Sequence, residues 1–278
     1  MDYLLGPVTS SGFHIRHVEW LNPTIACDVI LDTPPPPQAY AETLARCALA
    51  RVDAVLQRAV DREKKLLISD MDSTMIDQEC IDELADKVGL KAHVSAITER
   101  AMNGELDFKA ALRERVALLK DLPETTLQDV FDRHITLMAG AKTLLATMKA
   151  RGASTHLVSG GFTFFTERVA KALGFDTHEA NILEITNSKL TGTVREPILD
   201  KDSKRESLLQ HAAQHNVPLN ATLAVGDGAN DLPMLMASGL GVAYHAKPVV
   251  EAQAHASIRY NDLSSLLYLQ GIKKADWV

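Results

Sequence analysis

Three short apolar runs, each ending in a cluster of polar residues, place the strongest constraint on how this 278-residue chain can fold. The runs are Leu66-Leu67-Ile68, Thr155–Val158 and Leu223-Ala224-Val225, and patterns typical of helices separate them. Short continuous apolar runs of this kind are typical of buried parallel strands in an α/β sheet. Ligands of such sheets bind beyond the carboxyl ends of the strands, so the three polar clusters are predicted to meet at one site.

A long helical stretch lies between the first two predicted strands. It spans about 85 residues, far more than a single crossover helix needs. Spacing and capping signals predict helices over Ile81–Val88, Lys91–Met102, Asp107–Lys120 and Glu124–His134. We therefore predict an all-helical cap inserted at residues 78–136, and a last helix near Lys142–Lys149 that returns to the sheet.

The first 62 residues follow a different pattern and are predicted to form a small ββα module of the α+β type. Phe13–Val18 and Thr24–Leu31 are β-like runs, and Pro34–Pro37 form a stiff connector. Apolar residues then recur at helical spacing from Tyr40 to Ala59. A module of this size holds little core of its own, so it should pack against the rest of the chain. Regulation and formation of a homodimer are both left open as its role.

Charge and composition exclude several classes of protein. The net charge is −7 at pH 7 and no basic stripe is visible, so no nucleic-acid partner is expected. No apolar stretch approaches the roughly 18 residues of a membrane span, and the N-terminus lacks the basic start of a signal peptide. Cys27, Cys47 and Cys80 are odd in number and form no C-x-x-C pair, which argues against a disulfide framework and a thiolate zinc site. A cytoplasmic location is expected.

The polar cluster after the first run contains two carboxylates, Asp70 and Asp72, followed by Ser73 and Thr74. Two carboxylates at this spacing can serve as a nucleophile and a general acid/base. The same residue types also favour helix caps and turns, so a purely structural cluster is the alternative. A calcium loop fits less well, because its sixth position requires glycine and here holds Met75.

The cluster after the third run, Gly226–Asp231, contains two acids and an amide, Asp227, Asp231 and Asn230. Oxygen ligands of this kind suit a hard cation, although a glycine-rich turn with surface acids is the alternative. After the second run, Ser159-Gly160-Gly161 offers a hydroxyl and backbone N–H groups that could bind an anion, or simply a turn into a helix.

An anion at such an acidic site needs positive charge from a few local groups or from a metal. Lys204 opens the predicted helix Lys204–Gln214 and could supply this charge, but Lys201 lies only three residues earlier. Spacing alone does not choose between the two lysines.

In this chain order the clusters resemble those of the haloacid dehalogenase superfamily: Asp-x-Asp, Ser, Lys, then Gly-Asp-x-x-x-Asp. Within the superfamily the chain is similar to the phosphoserine phosphatases, in further segments that include Thr98–Leu106, Leu112–Pro123 and Ala243–Pro248. The resemblance extends from Lys64 to about Asp262. It implies an α/β fold with a Rossmann-like core and parallel sheet in residues 63–278, carrying the inserted helical cap and preceded by the small module.

The resemblance also implies an activity: Mg²⁺-dependent hydrolysis of O-phospho-L-serine to L-serine and phosphate through an aspartyl phosphate, the last step of serine biosynthesis. Asp70 would be the nucleophile and Asp72 the general acid and base. Mg²⁺ would be held by Asp70, by the backbone carbonyl of Asp72 and by Asp227, with Asp231 in support.

The remaining predicted site residues would bind the substrate. Ser159, Gly160 and Lys204 would hold the phosphoryl oxygens, Asn230 would position the substrate, Glu79 would meet its ammonium, Arg115 its carboxylate, and Met102 and Phe108 would line the pocket. Two alternatives remain. One is phosphoryl transfer by the same residues to a small alcohol such as homoserine, and the other is a catalytically silent serine sensor that uses the pocket and the N-terminal module.

Overall fold

A computed structural model of the chain describes residues 4–7 and 14–278. Its strands are β1 (Ile15–Asn22), β2 (Ala26–Leu31), β3 (Leu66–Ser69), β4 (Ser154–Phe162), β5 (Thr177–Asn181), β6 (Leu183–Thr186), β7 (Lys189–Val194), β8 (Thr222–Gly226), β9 (Leu240–Tyr244) and β10 (Ala256–Ile258). A six-stranded parallel sheet in the order β10-β9-β8-β3-β4-β5 forms the centre of the molecule. The predicted α/β fold with a parallel sheet is confirmed.

Helices cover the sheet and form the cap. They are α1 (Pro37–Leu49), α2 (Cys80–Asp86), α3 (Lys91–Met102), α4 (Phe108–Ala117), α5 (Thr125–His134), α6 (Ala141–Ala150), α7 (Thr163–Leu173), α8 (Lys201–Gln214), α9 (Leu232–Ala237), α10 (Pro248–Glu251) and α11 (Ser265–Leu269). None of the helices in the described ranges is both long and apolar enough to cross a membrane.

The three apolar runs of the sequence are β3, β4 and β8, which lie side by side in the sheet. Successive side chains of a strand point to opposite faces, and both faces of this sheet are buried. Leu66 and Ile68 therefore pack with Leu208 of α8 on one face, whereas Leu67 joins a larger apolar cluster with Leu157 on the other. Burial on both faces explains why the runs are continuously apolar rather than alternating.

Two predicted boundaries next to the site were wrong. β4 does not stop at Val158 but continues through Gly160 and Gly161 to Phe162. Helix α8 begins at Lys201, not at Lys204, because Asp200 caps it. The Asp200 side chain accepts a hydrogen bond from the backbone N–H of Ser203, and Ser203 Oγ accepts one from the backbone N–H of Asp200.

Helices α2–α5 lie between β3 and β4 in the chain and form the cap. The predicted bounds of α3 are confirmed, and Asp107 caps α4 by accepting a hydrogen bond from Ala110 N. The chain segments that enter and leave the cap run side by side: Ile76 forms an antiparallel bridge with Leu137, and Met138 N donates to Met75 O. The cap is thus attached to the sheet through a short two-stranded connection.

The N-terminal segment contains the antiparallel pair β1–β2 followed by α1, while the predicted start of its first strand, Phe13, lies outside the described residues. The prediction that the helix continues to Ala59 was wrong, because α1 ends at Leu49. Arg51 adopts a left-handed φ of 55° and Val52 N donates to Cys47 O at 2.8 Å, which closes the helix.

Beyond α1 the chain lies against the sheet domain instead of continuing as a helix. The Asp53 carboxylate accepts hydrogen bonds from the backbone N–H groups of Arg259, Tyr260 and Asn261. Val55 packs against the large apolar cluster. These contacts hold the segment after α1 against the sheet domain, so tertiary contacts override the helical spacing of the sequence.

Candidate active site

The carboxyl ends of β3, β4 and β8 meet under the cap, and a pocket lies between sheet and cap at this point. Its lining includes nine of the residues predicted from the sequence: Asp70, Asp72, Glu79, Met102, Phe108, Arg115, Ser159, Gly160 and Asn230. The other three predicted residues, Lys204, Asp227 and Asp231, cluster around Asp70. The structure therefore brings all twelve together.

Asp70 follows β3 and is held in place by its neighbours. Its backbone N–H donates to Val225 O of β8 at 3.0 Å, which extends the strand pairing by one residue. Its Oδ1 accepts from Met71 N at 2.7 Å and its Oδ2 lies 2.8 Å from Lys204 Nζ. Burial, together with the charge of Asp231, raises the pKa of Asp70 to about 7 despite the lysine.

Lys204 is fully buried and bridges two carboxylates. Its Nζ lies 2.8 Å from Asp70 Oδ2 and 2.7 Å from Asp231 Oδ1. Burial alone would lower the pKa of Lys204, but the charges of Asp231 and Asp70 outweigh burial and raise it, so the side chain stays cationic. Lys201 is exposed on the first turn of the same helix. Of the two lysines, the structure places Lys204 at the site.

Asp70, Asp227 and Asp231 form a cluster whose carboxylate oxygens lie within 4.8 Å of one another, and all three residues are buried. Burial, with the charge of Asp231 second, raises the pKa of Asp227 well above its ordinary value. Three buried carboxylates repel one another, and a hard divalent cation with oxygen ligands would relieve that repulsion. The donor set therefore fits Mg²⁺.

Within this cluster Asp231 has a supporting position. Its Oδ1 accepts from Lys204, and its Oδ2 accepts from the backbone N–H groups of Asp227 and Gly228. Both oxygens are thereby used to shape the loop that presents Asp227. Thr74 Oγ1 donates to Asp227 Oδ1 at 3.0 Å from the opposite side. Sequence reasoning missed Thr74 as a site residue, although it stands directly after the Asp-x-Asp-Ser segment.

Asp72 lies apart from this cluster, at the floor of the pocket. Its Oδ1 accepts from Cys80 N at 3.2 Å, which ties it to the start of α2. Its Oδ2 lies over Gly161, where an added Cβ would come within 2.7 Å. Burial raises the pKa of Asp72 to about 7, and the charge of Asp70 acts in the same direction. A carboxyl group that titrates near neutral pH can both donate and accept a proton.

The cap contributes two ionisable side chains to the pocket, the carboxyl group of Glu79 and the guanidinium of Arg115. Burial raises the pKa of Glu79 to about 8, and its Oε1 accepts from Ser73 Oγ at 2.6 Å. Arg115 is 5% exposed and donates to Thr98 Oγ1 and to Ala111 O. Within the described residues, no carboxylate oxygen lies within 4.0 Å of its guanidinium nitrogens. A buried guanidinium in this position is suited to bind an anionic ligand.

Thr98 and Asp82 hold Arg115 in place, and sequence reasoning did not identify either as part of the site. Thr98 Oγ1 accepts from Arg115 Nη1 at 2.9 Å and donates to Asp82 Oδ1 at 2.8 Å. Asp82 Oδ2 in turn accepts from Ser95 Oγ. The sequence spacing could have indicated Asp82, because it follows Glu79 by three residues and therefore lies on the same face of the helix.

Glycines of the sheet edge allow the cap to approach closely. A Cβ on Gly160 would lie 2.7 Å from Phe108 Cζ, and one on Gly228 would lie 2.6 Å from Met102 Cε. Both contacts join a cap residue to a loop or strand of the core. Asn230 Oδ1, next to Gly228, is buried without a hydrogen-bond partner and lines the pocket. It is therefore available to a ligand.

Comparisons with known proteins agree with this geometry. Residues 67–236 match the family model described as haloacid dehalogenase-like hydrolase. The chain is 48% identical over 210 residues to the phosphoserine phosphatase of Polaromonas sp. strain JS666, a match covering 74% of this chain and 89% of that one.

Two solved structures are similar over most of the chain. A phospho-aspartyl intermediate analogue of phosphoserine phosphatase aligns with a TM-score of 0.71 and 40% identity, covering 74% of this chain and 98% of that one. The unliganded form of a probable phosphoserine phosphatase from Vibrio cholerae aligns with a TM-score of 0.77 and 35% identity, covering 98% of this chain and 84% of that one. The second match includes the N-terminal segment.

Proposed function

This chain belongs to the haloacid dehalogenase-like hydrolases, and we propose that it hydrolyses O-phospho-L-serine to L-serine and phosphate. One observation carries the proposal. The carboxyl groups of Asp70 and Asp72 at the sheet edge share a pocket with two side chains of the cap, the carboxyl group of Glu79 and the guanidinium of Arg115. A phosphorylated amino acid has a phosphate for the first pair, and an ammonium and a carboxylate for the second.

The reaction runs in two steps at Asp70. A carboxylate oxygen of Asp70 attacks phosphorus and the bond to the serine oxygen breaks, while Asp72 gives its proton to that oxygen. Water then attacks the aspartyl phosphate, Asp72 takes the proton of the water, and phosphate leaves with Asp70 restored. Lys204, 2.8 Å from Asp70, favours the ionised carboxylate that the first step requires.

Asp70, Asp227 and the backbone carbonyl of Asp72, with Asp231 in support, would hold Mg²⁺. When bound, the ion would supply positive charge that stabilises the transferred phosphoryl group. The chain's own groups complete the phosphate site. Two of the three Lys204 ammonium hydrogens are used by Asp70 and Asp231, which leaves one for a phosphoryl oxygen.

Ser159 and Gly160 complete the cradle for the phosphoryl oxygens. Ser159 Oγ accepts a hydrogen bond from Gly161 N at 2.9 Å, so its own hydroxyl hydrogen is free to donate. The backbone N–H of Gly160 lies at the same strand end. Phe108 and Met102 close the pocket over these groups and exclude water while the aspartyl phosphate exists.

The test is release of phosphate from matched phosphomonoesters by the full-length protein, with and without Mg²⁺. Phosphoserine should be hydrolysed much faster than phosphoethanolamine, which lacks the carboxylate, and than 3-phosphoglycerate, which lacks the ammonium. Equal turnover of all three would contradict the assignment of Glu79 and Arg115. A small alcohol such as homoserine, added to the same assay, would reveal phosphoryl transfer in place of hydrolysis.

The nucleophile is tested separately by trapping the phosphoenzyme in acid. Phosphate should be recovered on Asp70, and Asp70→Asn should lower kcat by about 10⁴ or more, since a carboxamide does not attack phosphorus. Phosphate on any other residue would exclude the mechanism.

The domain boundaries, the cellular location and the oligomeric state are also proposals. Residues 1–62 form a supporting module and residues 63–278 the catalytic unit, with the cap at residues 78–136; the positions of α2–α5 support this division. The free thiols of Cys27, Cys47 and Cys80 support a reducing, cytoplasmic environment. A homodimer built through the N-terminal module is the proposed assembly.

A further inference from the structure

Three histidines form a cluster on the side of the sheet covered by α8. His156 lies in the middle of β4, and His211 and His215 lie four residues apart at the end of α8, on one helical face. One ring nitrogen of each lies within 4.8 Å of the others. His156 is 1% exposed and His211 6%, whereas His215 is exposed.

The hydrogen bonds of His211 leave one of its nitrogens with a lone pair and no partner. Nε2 lies 3.0 Å from Glu179 Oε1, and because a carboxylate only accepts, Nε2 carries the hydrogen. In the neutral ring Nδ1 then carries the lone pair, and Nδ1 is buried without a hydrogen-bond partner.

His156 also has one partnered and one unpartnered ring nitrogen. Its Nδ1 lies 2.8 Å from Thr177 Oγ1, and its Nε2 is buried without a partner. Burial, with the charges of His211 and His215 acting in the same direction, lowers the pKa of His156 to about 3. Thr177 Oγ1 can accept a hydrogen bond from Nδ1, and a neutral ring that donates there carries its lone pair on Nε2.

Metal-binding histidines show this pattern: one ring nitrogen donates to a carboxylate, carbonyl or hydroxyl, and the other binds the ion. Two unpartnered buried nitrogens in a single cluster are costly unless a ligand uses them. We propose that His156, His211 and His215 bind a divalent transition-metal ion, with Zn²⁺ as the best fit and water as the fourth ligand. Imidazole ligands suit Zn²⁺, Co²⁺ and Ni²⁺, whereas Mg²⁺ prefers the oxygen ligands of the active site.

Binding requires the rings of His156 and His211 to change orientation. The rings of His156 and His211 are stacked, with centroids 3.6 Å apart and 16° between their planes. Lone pairs lie in the ring plane, so two parallel rings must tilt apart before both can reach an ion at about 2.0–2.1 Å. His215, already tilted by 49° from His156 and exposed, can follow the ion without disturbing the core.

An ion at this cluster would join two elements that carry the phosphate site. Ser159 follows His156 by three residues on β4, and Lys204 precedes His211 by two turns on α8. The ion would fix α8 against β4 at the end remote from the pocket. A bound ion would raise the free energy of unfolding, and the increase grows with the logarithm of the ratio of the ion concentration to its dissociation constant.

The experiment titrates Co²⁺ into full-length, metal-stripped protein in the presence of excess Mg²⁺, which occupies oxygen-ligand sites. We expect one equivalent of Co²⁺ to give the visible absorption of a tetrahedral nitrogen-ligated ion and Zn²⁺ to displace it. His215→Ala, an exposed change that spares the fold, should lower the affinity at least tenfold. Glu179→Gln should lower it by about 10- to 100-fold through loss of the outer hydrogen bond.

The matched control is His93→Ala, which removes an exposed histidine of the cap and should leave binding unchanged. Absence of the tetrahedral absorption, or full absorption in His215→Ala, would overturn the site. Loss of the absorption in Asp227→Asn would assign the Co²⁺ to the acidic cluster and overturn it as well. A Glu179→Gln protein that binds as tightly as the wild type would overturn the role of Glu179.

Discussion

Phe108 of the cap rests directly on Gly160 of β4, with its Cζ atom 2.7 Å from where a Cβ of residue 160 would stand. Any larger residue at this position would hold the cap away from the strand. Because Phe108 and Gly160 both line the pocket, the contact determines how completely the pocket closes. Glycine at position 160 thus permits closure, in addition to offering a backbone N–H.

Gly160→Ala keeps that backbone N–H and adds only the obstructing methyl group. Overpacking of this kind costs about 1–3 kcal/mol, here in the closed state, so kcat/KM for phosphoserine should fall by about 5- to 150-fold. Steady-state kinetics measure the loss. Adding Phe108→Leu should restore part of the rate, because the smaller side chain makes room for the methyl group. A double variant no better than the single one would place the defect in the phosphate cradle instead.

Asp72→Asn should impair the step that expels the serine oxygen. Loss of general acid catalysis costs about 10²–10⁴ in rate. The deficit in forming the aspartyl phosphate should shrink with an aryl phosphate, whose leaving group needs no proton. Pre-steady-state release of the aryl alcohol measures this step. An equal deficit with both substrates would show that Asp72 is not the acid.

Arg115→Ala should weaken phosphoserine hydrolysis selectively. A hydrogen bond to a charged partner contributes about 1.5–3 kcal/mol, which corresponds to a fall of about 10- to 150-fold in kcat/KM. The slow hydrolysis of phosphoethanolamine, which lacks the carboxylate, should hardly change. Arg113→Ala is the control on the same helix, since Arg113 is exposed and pairs with Glu196 at the surface. Equal losses on both substrates would mean that Arg115 supports the cap rather than the carboxylate.

Stability should decrease with rising pH when no divalent cation is present. The pKa is raised to about 7 for Asp70 and Asp72 and to about 8 for Glu79, so the folded state binds more protons than the unfolded state below these values. The free energy of unfolding then falls as pH rises from the unfolded carboxyl pKa values of about 4, and it levels off above the folded values. His156, whose pKa is lowered to about 3, has the opposite effect up to the unfolded histidine pKa of about 6.5, so the decrease is measured between about pH 7 and 8.

Melting temperatures across that window, recorded in a chelator, test this expectation. Glu79→Gln removes one of the titrating groups and should flatten the decrease. Mg²⁺ should raise the melting temperature most at the alkaline end, where the carboxylates are ionised. A melting temperature that rises with pH in the chelator would contradict the raised pKa values.

Asp53→Ala should destabilise the protein without changing its chemistry. It removes the shared acceptor of the backbone N–H groups of Arg259, Tyr260 and Asn261, which water can replace only in part, at a cost of about 1.5 kcal/mol. The melting temperature should fall by several degrees and kcat should stay unchanged. Asp32→Ala, at an exposed position of the same segment, is the control. A loss of kcat in the folded variant would give the N-terminal segment a part in catalysis.

The strands and the site could be predicted because both depend on local signals. Buried strands are continuous apolar runs in the sequence. The polar residues at their ends come directly after these runs, as Asp70 comes two positions after Ile68. The helix Lys91–Met102 was predicted to the residue because Gly104, with a left-handed φ of 79°, follows it closely.

Features that depend on distant partners could not be predicted. The end of α1 is set by the contacts of Asp53 with residues about two hundred positions away, and these leave no local pattern. The choice of Lys204 over Lys201 depends on the cap at Asp200, which fixes where the helix begins. Thr98 and Asp82 support Arg115 from two other helices, α3 and α2, so only the folded structure shows their role.

The cap lies between β3 and β4 in the chain, so β3 must pair with strands that are synthesised much later. β3 is the central strand of the catalytic sheet, and it pairs with Ser154 on one side and Thr222 on the other. Such non-local pairings raise the contact order and slow folding, whereas the cap helices form from local contacts. On the ribosome, Asp70 therefore emerges long before Lys204 and Asp231, and its carboxylate stays in water until most of the chain has been synthesised.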